Sequence, residues 1–490
     1  MKYGFFLLLL LVSGCMVGPN YQKPEIAMPS EFAEEKKGAD PCDSNADLCQ
    51  WWKQFDDPVL DSLITEAAQA NFDIRIALEK IFQARSQYRV QSAHLWPEFD
   101  FNAVATRSRI SRNLFNTQNA ASAAAVNNIF PTYESFFQVG FDAIWEFDIF
   151  GKFRRAKQAA YYDWEASKED AQVVLITTLS EVARNYVSIR ALQKKIDLAY
   201  QKVQVDEIEL ALTQDLYQSG LNNEIQLDAL ISTLEKDKAS IPVLETSFKQ
   251  TLFALAVLLG QQPENLIAQF NEIKPIPSAI NRVPIGLPSD LLRRRPDIRR
   301  AERQLAAATE QIGVAVADLF PHISLTGNSI FGSPFQGSSI GFQSIKLGKL
   351  FNGSSNFWSL GPGLHWNVFD FGKTRANIDV YNSLQRQALL SYEQTVITSL
   401  QDVEAALVAY FEEQKRRDFL GDQVEANQRA LLLTNDLYQT GLANEQQVLD
   451  ARKTLIESET TLIESEQSFT SDLISLYKAL GGNWECSYTP

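Results

Sequence analysis

Asp215-Leu-Tyr-Gln-Ser-Gly-Leu-Asn-Asn-Glu224 recurs in the same chain as Asp436-Leu-Tyr-Gln-Thr-Gly-Leu-Ala-Asn-Glu445, an offset of 221 residues. Working outward, that offset maps Leu259-Gly260 onto Leu480-Gly481, Trp145 onto Trp366, and Phe150-Gly151-Lys152 onto Phe371-Gly372-Lys373. Further upstream Asp73-Ile74-Arg75 matches Asp297-Ile298-Arg299 and Pro97 matches Pro321, now at an offset of 224, as a loop of different length in each half requires. The chain is therefore two copies of one unit, residues 60–260 and 286–481, with a linker at 261–285 that carries Pro275, Pro277 and Pro284. An internal repeat this long decides the architecture before any local reading does.

Each copy reads as a helix, two strands and a long helical hairpin. The first helix is expected over 60–93 and again over 290–318. The strands are expected at about 97–110 and 134–150, then at about 321–332 and 356–370. Between Phe137 and Ile149 every odd residue is apolar, while Gln138, Asp142, Glu146 and Asp148 alternate with them. Period-two alternation marks a strand with one apolar and one polar face. Trp358, Leu360, Leu364, Trp366 and Val368 repeat it against Ser359, His365 and Asn367. The polar stretches 110–133 and 332–355 read as long loops between paired strands, as at the outer surface of membrane β-barrels.

The hairpins are expected at 151–259 and 372–480. Lys152 to Ser219 contains no Gly or Pro, room for about 100 Å of helix at 1.5 Å per residue. Val182, Ile189, Ile196, Val203, Leu210 and Tyr217 hold a seven-residue spacing, as do Leu227, Leu234, Ile241, Phe248 and Leu255 on the return helix. Val448, Leu455, Leu462, Phe469 and Leu476 repeat the latter stripe. Sustained heptads predict coiled-coil packing. Gly220 and Gly441 stand at the two hairpin turns, where a left-handed residue is needed.

Residues 1–14 read as a secretion signal, with Lys2 before the apolar run Phe5 to Val12, too short to span a bilayer. Leu11-Val12-Ser13-Gly14-Cys15 reads as a lipobox, which makes Cys15 the acylated first residue of a mature N-terminal segment, 15–59. Met16 follows the cysteine where an Asp would resemble an inner-membrane retention signal, which favours the outer membrane. In the oxidising compartment so implied, Cys42–Cys49 is the simplest disulfide and leaves Cys486 free in the tail 482–490, with other pairings open. Beyond the signal no run of apolar residues is long enough for a transmembrane helix, so any crossing is made by β-strands. The net charge of −15 argues against nucleic acid. Three histidines and three methionines leave little material for soft-metal sites.

Four apolar-faced strands per chain cannot close a barrel, and an open sheet edge does not survive in lipid. Three chains supply twelve strands, enough to close around a pore with two helical hairpins per chain beside it. The expected fold class is an α+β membrane protein in which several chains share one barrel.

Three motifs in order then carry a resemblance. Cys15-Met-Val-Gly-Pro-Asn-Tyr-Gln-Lys-Pro24, Leu292-Arg-Arg-Arg-Pro-Asp-Ile-Arg299 with Ala301-Glu-Arg-Gln-Leu305 and Phe320-Pro321, and Leu476-Tyr-Lys-Ala-Leu-Gly-Gly-Asn-Trp484 resemble the outer-membrane efflux proteins related to TolC, in their lipoprotein branch. The resemblance implies a homotrimer with a shared 12-stranded barrel in the outer membrane, a periplasmic α-helical barrel, and an equatorial domain from the termini and the linker. It implies partnership with a periplasmic adaptor and an inner-membrane RND-type transporter, no enzymatic activity and no cofactor beyond the lipid on Cys15. It places the periplasmic gate near the second tip: Asp450, nine residues after Gly441, matches a ring of aspartates, and Tyr438 matches a tyrosine bonded between helices in the closed state. Gln447 and Gln446 stand where relatives carry a second Asp and an apolar plug. Gly220-Leu221 and Gly441-Leu442 resemble adaptor-docking tips.

Other chemistry is set aside. Gly337-Ser-Ser-Ile-Gly341 matches G-x-S-x-G but falls in an expected loop, without the strand-turn-helix context of a nucleophile elbow. Arg293-Arg294-Arg295 begins a helix, where the macrodipole disfavours cations, so salt bridges to nearby acids are expected. No metal-ligand spacing is present. The expected function is a passive exit duct for toxic small molecules; the alternatives are a duct for metal ions or secreted proteins, or a lipid-anchored coiled-coil protein without a pore.

Overall fold

A computed structural model of the chain describes residues 16–30, 32–33, 50–109, 133–278, 288–325 and 338–482. The signal segment, Cys15, Cys42, Cys49, Cys486 and the loop 110–132 lie outside the described residues. The chain divides into two compact units. The first comprises Met1–Lys23, Gln83–Trp164 and Arg303–Leu390, and the second Pro24–Phe82, Glu165–Glu302 and Ser391–Pro490.

Each expected leading helix is broken in two. In repeat 1, α1 (Pro58–Ala70) and α2 (Phe72–Ala93) meet at Asn71. Asp57 starts α1 by accepting from the Val59 and Leu60 amides, an N-cap that satisfies two orphan donors. The Asn71 side chain starts α2 by accepting from the Ile74 amide, and donates to the Leu258 carbonyl at 2.8 Å. In repeat 2, α5 (Pro288–Arg294) and α6 (Pro296–Ala317) are parted at Arg295, because Pro296 keeps the residue before it out of the helical region.

The first unit holds one antiparallel sheet. β1 (Glu98–Arg109) pairs along one edge of β2 (Tyr133–Phe147). The other edge of β2 takes two strands in line: β3 (His322–Leu325) opposite Phe147–Trp145 and β4 (Ser338–Ser344) opposite Ala143–Phe137. β5 (Asn356–Ser359) pairs with β4 and β6 (Pro362–His365) with β3. Among the described residues the sheet is thus four strand lines wide. Two expectations are corrected here, and a third lies partly outside the described residues. Ser338–Ser344, read as loop, is strand, because Ile340 and Phe342 complete the apolar face opposite Phe141 and Val139. The strand expected over 321–332 is described only as far as Leu325. The strand expected over 356–370 is two short pieces ending at His365, opposite the first residue of β3.

The cross-strand register aligns side chains by face. Phe101, Phe141, Ile340 and Trp358 form one row across all four lines; they are 60, 55, 64 and 74% exposed. The next row on the opposite face is Asp100, Asp142, Ser339 and Ser359, and within it Asp142 and Ser339 are buried. Asp142 accepts from the Asn102 side chain at 2.7 Å. Apolar out and polar in is the reverse of a water-soluble sheet, and is the pattern of a barrel wall in lipid.

The second unit is dominated by helical hairpins. α3 (Lys152–Gln218) and α7 (Lys373–Gln439) are each 67 residues long. Their return helices α4 (Glu224–Leu258) and α8 (Glu445–Ala479) are each 35. Against the expectation of no helix able to cross a membrane, α4 is long and apolar enough by length and composition. Its apolar character serves the coiled-coil seam: Leu234 and Ile241 pack against Val203 of α3. Near the far ends of the return helices Trp51 stacks on Tyr477 at 5.6 Å, and Tyr477 donates to Gln54. Burial pushes the Tyr477 phenol up to about 12. Arg295 forms the ion pairs expected of it, with Asp297 and Asp402. It also donates to the Ala479 carbonyl at 3.1 Å, placing a cation at the C-terminus of α8, where the dipole favours it.

Candidate functional site: the hairpin tips and the ladder behind them

Both tips are built by the same local rules. At the first, the Gly220 amide donates to the Tyr217 carbonyl and the Leu221 amide to Leu216, with Gly220 at φ +73°. At the second, the Gly441 amide donates to Tyr438 and the Leu442 amide to Leu437, with Gly441 at φ +78°. This is a Schellman closure, which needs a left-handed residue at the glycine position. Nothing lies within 4 Å of where a Cβ would stand at either glycine, so the requirement is backbone angle and not space. Each turn then presents one leucine to solvent, Leu221 at 76% exposure and Leu442 at 78%.

After each leucine an asparagine starts the return helix. Asn223 accepts from the Gln226 amide, and Asn444 from the Gln447 amide. At the second tip the Gln447 side chain also accepts from the Asn444 amide, closing a capping box. Gln447 is thus engaged by the helix terminus. Gln446, one residue earlier, donates to the Asp450 carboxylate at 3.2 Å and to Glu209 of α3. Asp450 is exposed, and so is Tyr438. Among the described residues the Tyr438 hydroxyl makes no hydrogen bond within the chain. The structure therefore joins Gln446 to Asp450, and leaves Tyr438 apart from both.

Behind the tip lies a cluster that the sequence reading did not single out. Asp206 and Glu209 of α3 are buried side by side. Lys453 of α8 pairs with both, at 2.6 Å from Asp206. Asp237 of α4 neighbours Asp206 and pairs with Lys202 at 3.3 Å, and Lys202 also reaches Glu457 of α8 at 3.3 Å. Burial, together with the nearby Asp237, holds the Asp206 carboxyl above the usual carboxylate range against the opposing pull of Lys453. Burial opposes the charge on Lys453, but its bonds to Asp206 and Glu209 prevail and raise its ammonium above the ordinary lysine value. The cross-hairpin contacts continue away from the tip as Lys195–Glu464, Lys194–Glu466 and Gln467–Ser188. One signal for the cluster was present: Asp206 stands three residues after Val203, in the alternate heptad position where a coiled coil places apolar side chains.

The two motifs set aside as chemistry behave structurally. Ser339 lies within β4, paired with Asp142 and Ser359, and not at a strand-to-helix turn; Gly337 lies outside the described residues. Arg299 and Arg300, just after the arginine run, pair with Glu169 and Asp170.

The chain resembles known proteins over nearly its whole length. The family model described as outer membrane efflux protein matches residues 63–261 and 287–482. The chain is 29% identical over 487 residues to the cation efflux system protein CusC of Escherichia coli O6:H1, covering 98% of each chain. It is 30% identical to the solvent efflux pump outer membrane protein SrpC of Pseudomonas putida, over 98% of this chain and 97% of that one. Among solved structures, the outer-membrane channel OprN superposes with a TM-score of 0.82 at 29% identity, over 96% of this chain and 100% of that one.

Proposed function

This chain belongs to the outer membrane efflux protein family, and from that premise we propose how its residues open and close the exit duct of a tripartite pump. The protein is an outer-membrane channel with a TolC-like fold. The reading that follows concerns its assembly, its gate and its cargo.

Three copies close the barrel. A four-line sheet with an apolar outer row leaves both edges unpaired among the described residues of one chain, and twelve lines remove them. Cys15 carries the lipid that holds the mature N-terminus at the membrane. The tips, with Leu221 and Leu442 exposed on matching glycine turns, are the docking points for a periplasmic adaptor coupled to an inner-membrane transporter. Asp450 lines the periplasmic aperture, where three carboxylates favour cations. Gln446 couples that ring to the buried cluster by bonding Asp450 and Glu209 together. Closure is held by Lys453, the cation in a pocket of carboxylates contributed by a different hairpin, and opening requires its release. That bridge between hairpins is the observation that carries the gate.

The cargo is small toxic organic compounds, a reading supported by the name of the Pseudomonas relative, a solvent efflux pump protein. The name of the Escherichia coli relative supports a second reading, metal cations. A deletion strain challenged with dyes, detergents, solvents and metal salts separates them. Hypersensitivity to several unrelated organics, restored by the wild-type gene, supports the first reading. Hypersensitivity to one metal alone supports the second, and no change under either challenge refutes both. For the gate, Lys453→Ala trimers in planar bilayers are expected to conduct several-fold better than wild type, since removing one partner of a buried pair breaks it. Unchanged conductance removes Lys453 from the gate.

A further inference from the structure

The first residues after Cys15 are seated in a pocket formed between α3 of repeat 1 and α6 of repeat 2, whose residues are not repeated at the counterpart junction. Arg155, near the start of α3, is 2% exposed. It bonds to Glu310 of α6 at 2.6 Å. Its Nε and Nη2 donate to the N-terminal segment: Nε to the Val17 carbonyl at 3.0 Å, and Nη2 to the Gly18 carbonyl at 3.2 Å and the Asn20 side chain at 2.9 Å. The Val17 amide donates to the Phe150 carbonyl at 3.1 Å, at the junction between β2 and α3. Three glycines make the seat possible. A Cβ on Gly18, which has φ +87°, would lie 2.5 Å from the Gly313 Cα. One on Gly313 would lie 2.8 Å from Arg155, and one on Gly151 would lie 2.8 Å from Met16. Past the seat, Tyr21 rests near Tyr162 at 6.1 Å between ring centroids.

The repeat supplies its own control. At the offsets of 221 and 224, Arg155 corresponds to Ala376, Glu310 to Ser86 and Gly313 to Arg89. The helices around these positions are otherwise matched in length, 67 residues in each copy for the long helix and 22 in each for the helix before the strands. A buried ion pair serving only helix packing would have reason to recur in both copies. This one stands at the junction that meets the N-terminal segment, and its Nε and Nη2 donate to that segment. A buried guanidinium left without those acceptors pays its desolvation in full.

We propose that Arg155, Glu310 and Gly313 form a binding site for the processed N-terminal segment of the chain, and that its seating there is required to assemble a stable channel. The lipid on Cys15 tethers the chain to the membrane, and the seat fixes the tether against the strand-to-helix junction. The inference rests on the trimeric-channel reading above for its assembly step and on this geometry alone for the site.

The test uses the full-length, exported protein in the outer membrane. Gly18→Leu changes the segment and clashes with Gly313 while leaving the pocket's own residues in place, and Arg155→Gln changes the pocket. Mass spectrometry of the mature N-terminus establishes that each is processed as wild type. Chymotrypsin cleavage after Tyr21 then reports whether the segment is seated, in whatever oligomer forms. Cleavage is expected to accelerate at least about tenfold in both variants, because proteolysis tracks the released population. The yield of detergent-resistant trimer is expected to fall with it. Protection equal to wild type in both variants overturns the site. Accelerated cleavage with an undiminished trimer overturns its role in assembly. A wild-type chain that gives no trimer speaks against the channel reading instead, and the cleavage assay still decides the site.

Discussion

A single ammonium among carboxylates makes the tip cluster sensitive to both substitution and pH. Lys453→Met leaves Asp206 and Glu209 buried without their partner. The expected loss is about 3–5 kcal/mol at the hairpin interface, the usual cost of uncompensating a buried charge, and it is checked by the thermal midpoint of the purified protein. The pH dependence follows from Asp206, whose carboxyl burial holds above its ordinary value. An acid raised in the folded state binds its proton more tightly there, so it adds stability as pH falls through the raised value and withholds it as pH rises. Lys453, also raised, adds stability throughout this range and loses it only in strongly alkaline solution. The interface is therefore expected to tighten as pH falls through the raised Asp206 value toward the ordinary carboxylate range. Asp206→Asn should flatten that response, read as the change in thermal midpoint along a descending pH series. An equal response in the variant places the titrating group elsewhere.

At the scale of the element, the two hairpins are equal in length but not in composition. α4 carries Pro242 in its interior, where α8 has Ile463 at the matching position. An interior proline removes one helix hydrogen bond and costs about 3 kcal/mol relative to alanine. Pro242 is exposed, so no packing offsets that cost. Pro242→Ala is expected to raise the thermal midpoint; a fall would show that the neighbouring turns depend on the kink. The sequence made these elements legible because heptads and strand alternation are local patterns, and the glycine at each tip announces its own backbone angle. Asn444 followed three residues later by Gln447 was equally legible as a capping box, and was read instead through the gate. The β4 strand was hidden by its serines and glycines, which carry turn chemistry in sequence and polar-face positions in the sheet. The Lys453 cluster and the Arg155 seat were hidden for a different reason. Their partners lie more than a hundred residues apart along the chain, and no local period connects Asp206 to Lys453 or Arg155 to Glu310.

For the whole molecule, the test of the reading is which face of the sheet tolerates a charge. Ile340 belongs to the exposed apolar row with Phe101, Phe141 and Trp358, and Ser359 to the opposite row with Asp100 and Asp142. In a water-soluble sheet an exposed isoleucine is the safer place for arginine, and the face that buries Asp142 the more dangerous one. In a barrel wall the order inverts. Arginine on the lipid face costs about 2–4 kcal/mol at the bilayer midplane, and a trimer incurs it three times. A lumen arginine beside carboxylates is instead solvated and paired. Ile340→Arg is therefore expected to abolish detergent-resistant trimer in the outer-membrane fraction, while Ser359→Arg assembles and shifts ion selectivity away from cations in planar bilayers. The opposite ranking would place the sheet in water and return the chain to a lipid-anchored coiled coil without a pore. The two substitutions exchange the same side chain between two faces of one sheet, so a general intolerance of arginine affects both and leaves their order to report the solvent on each side.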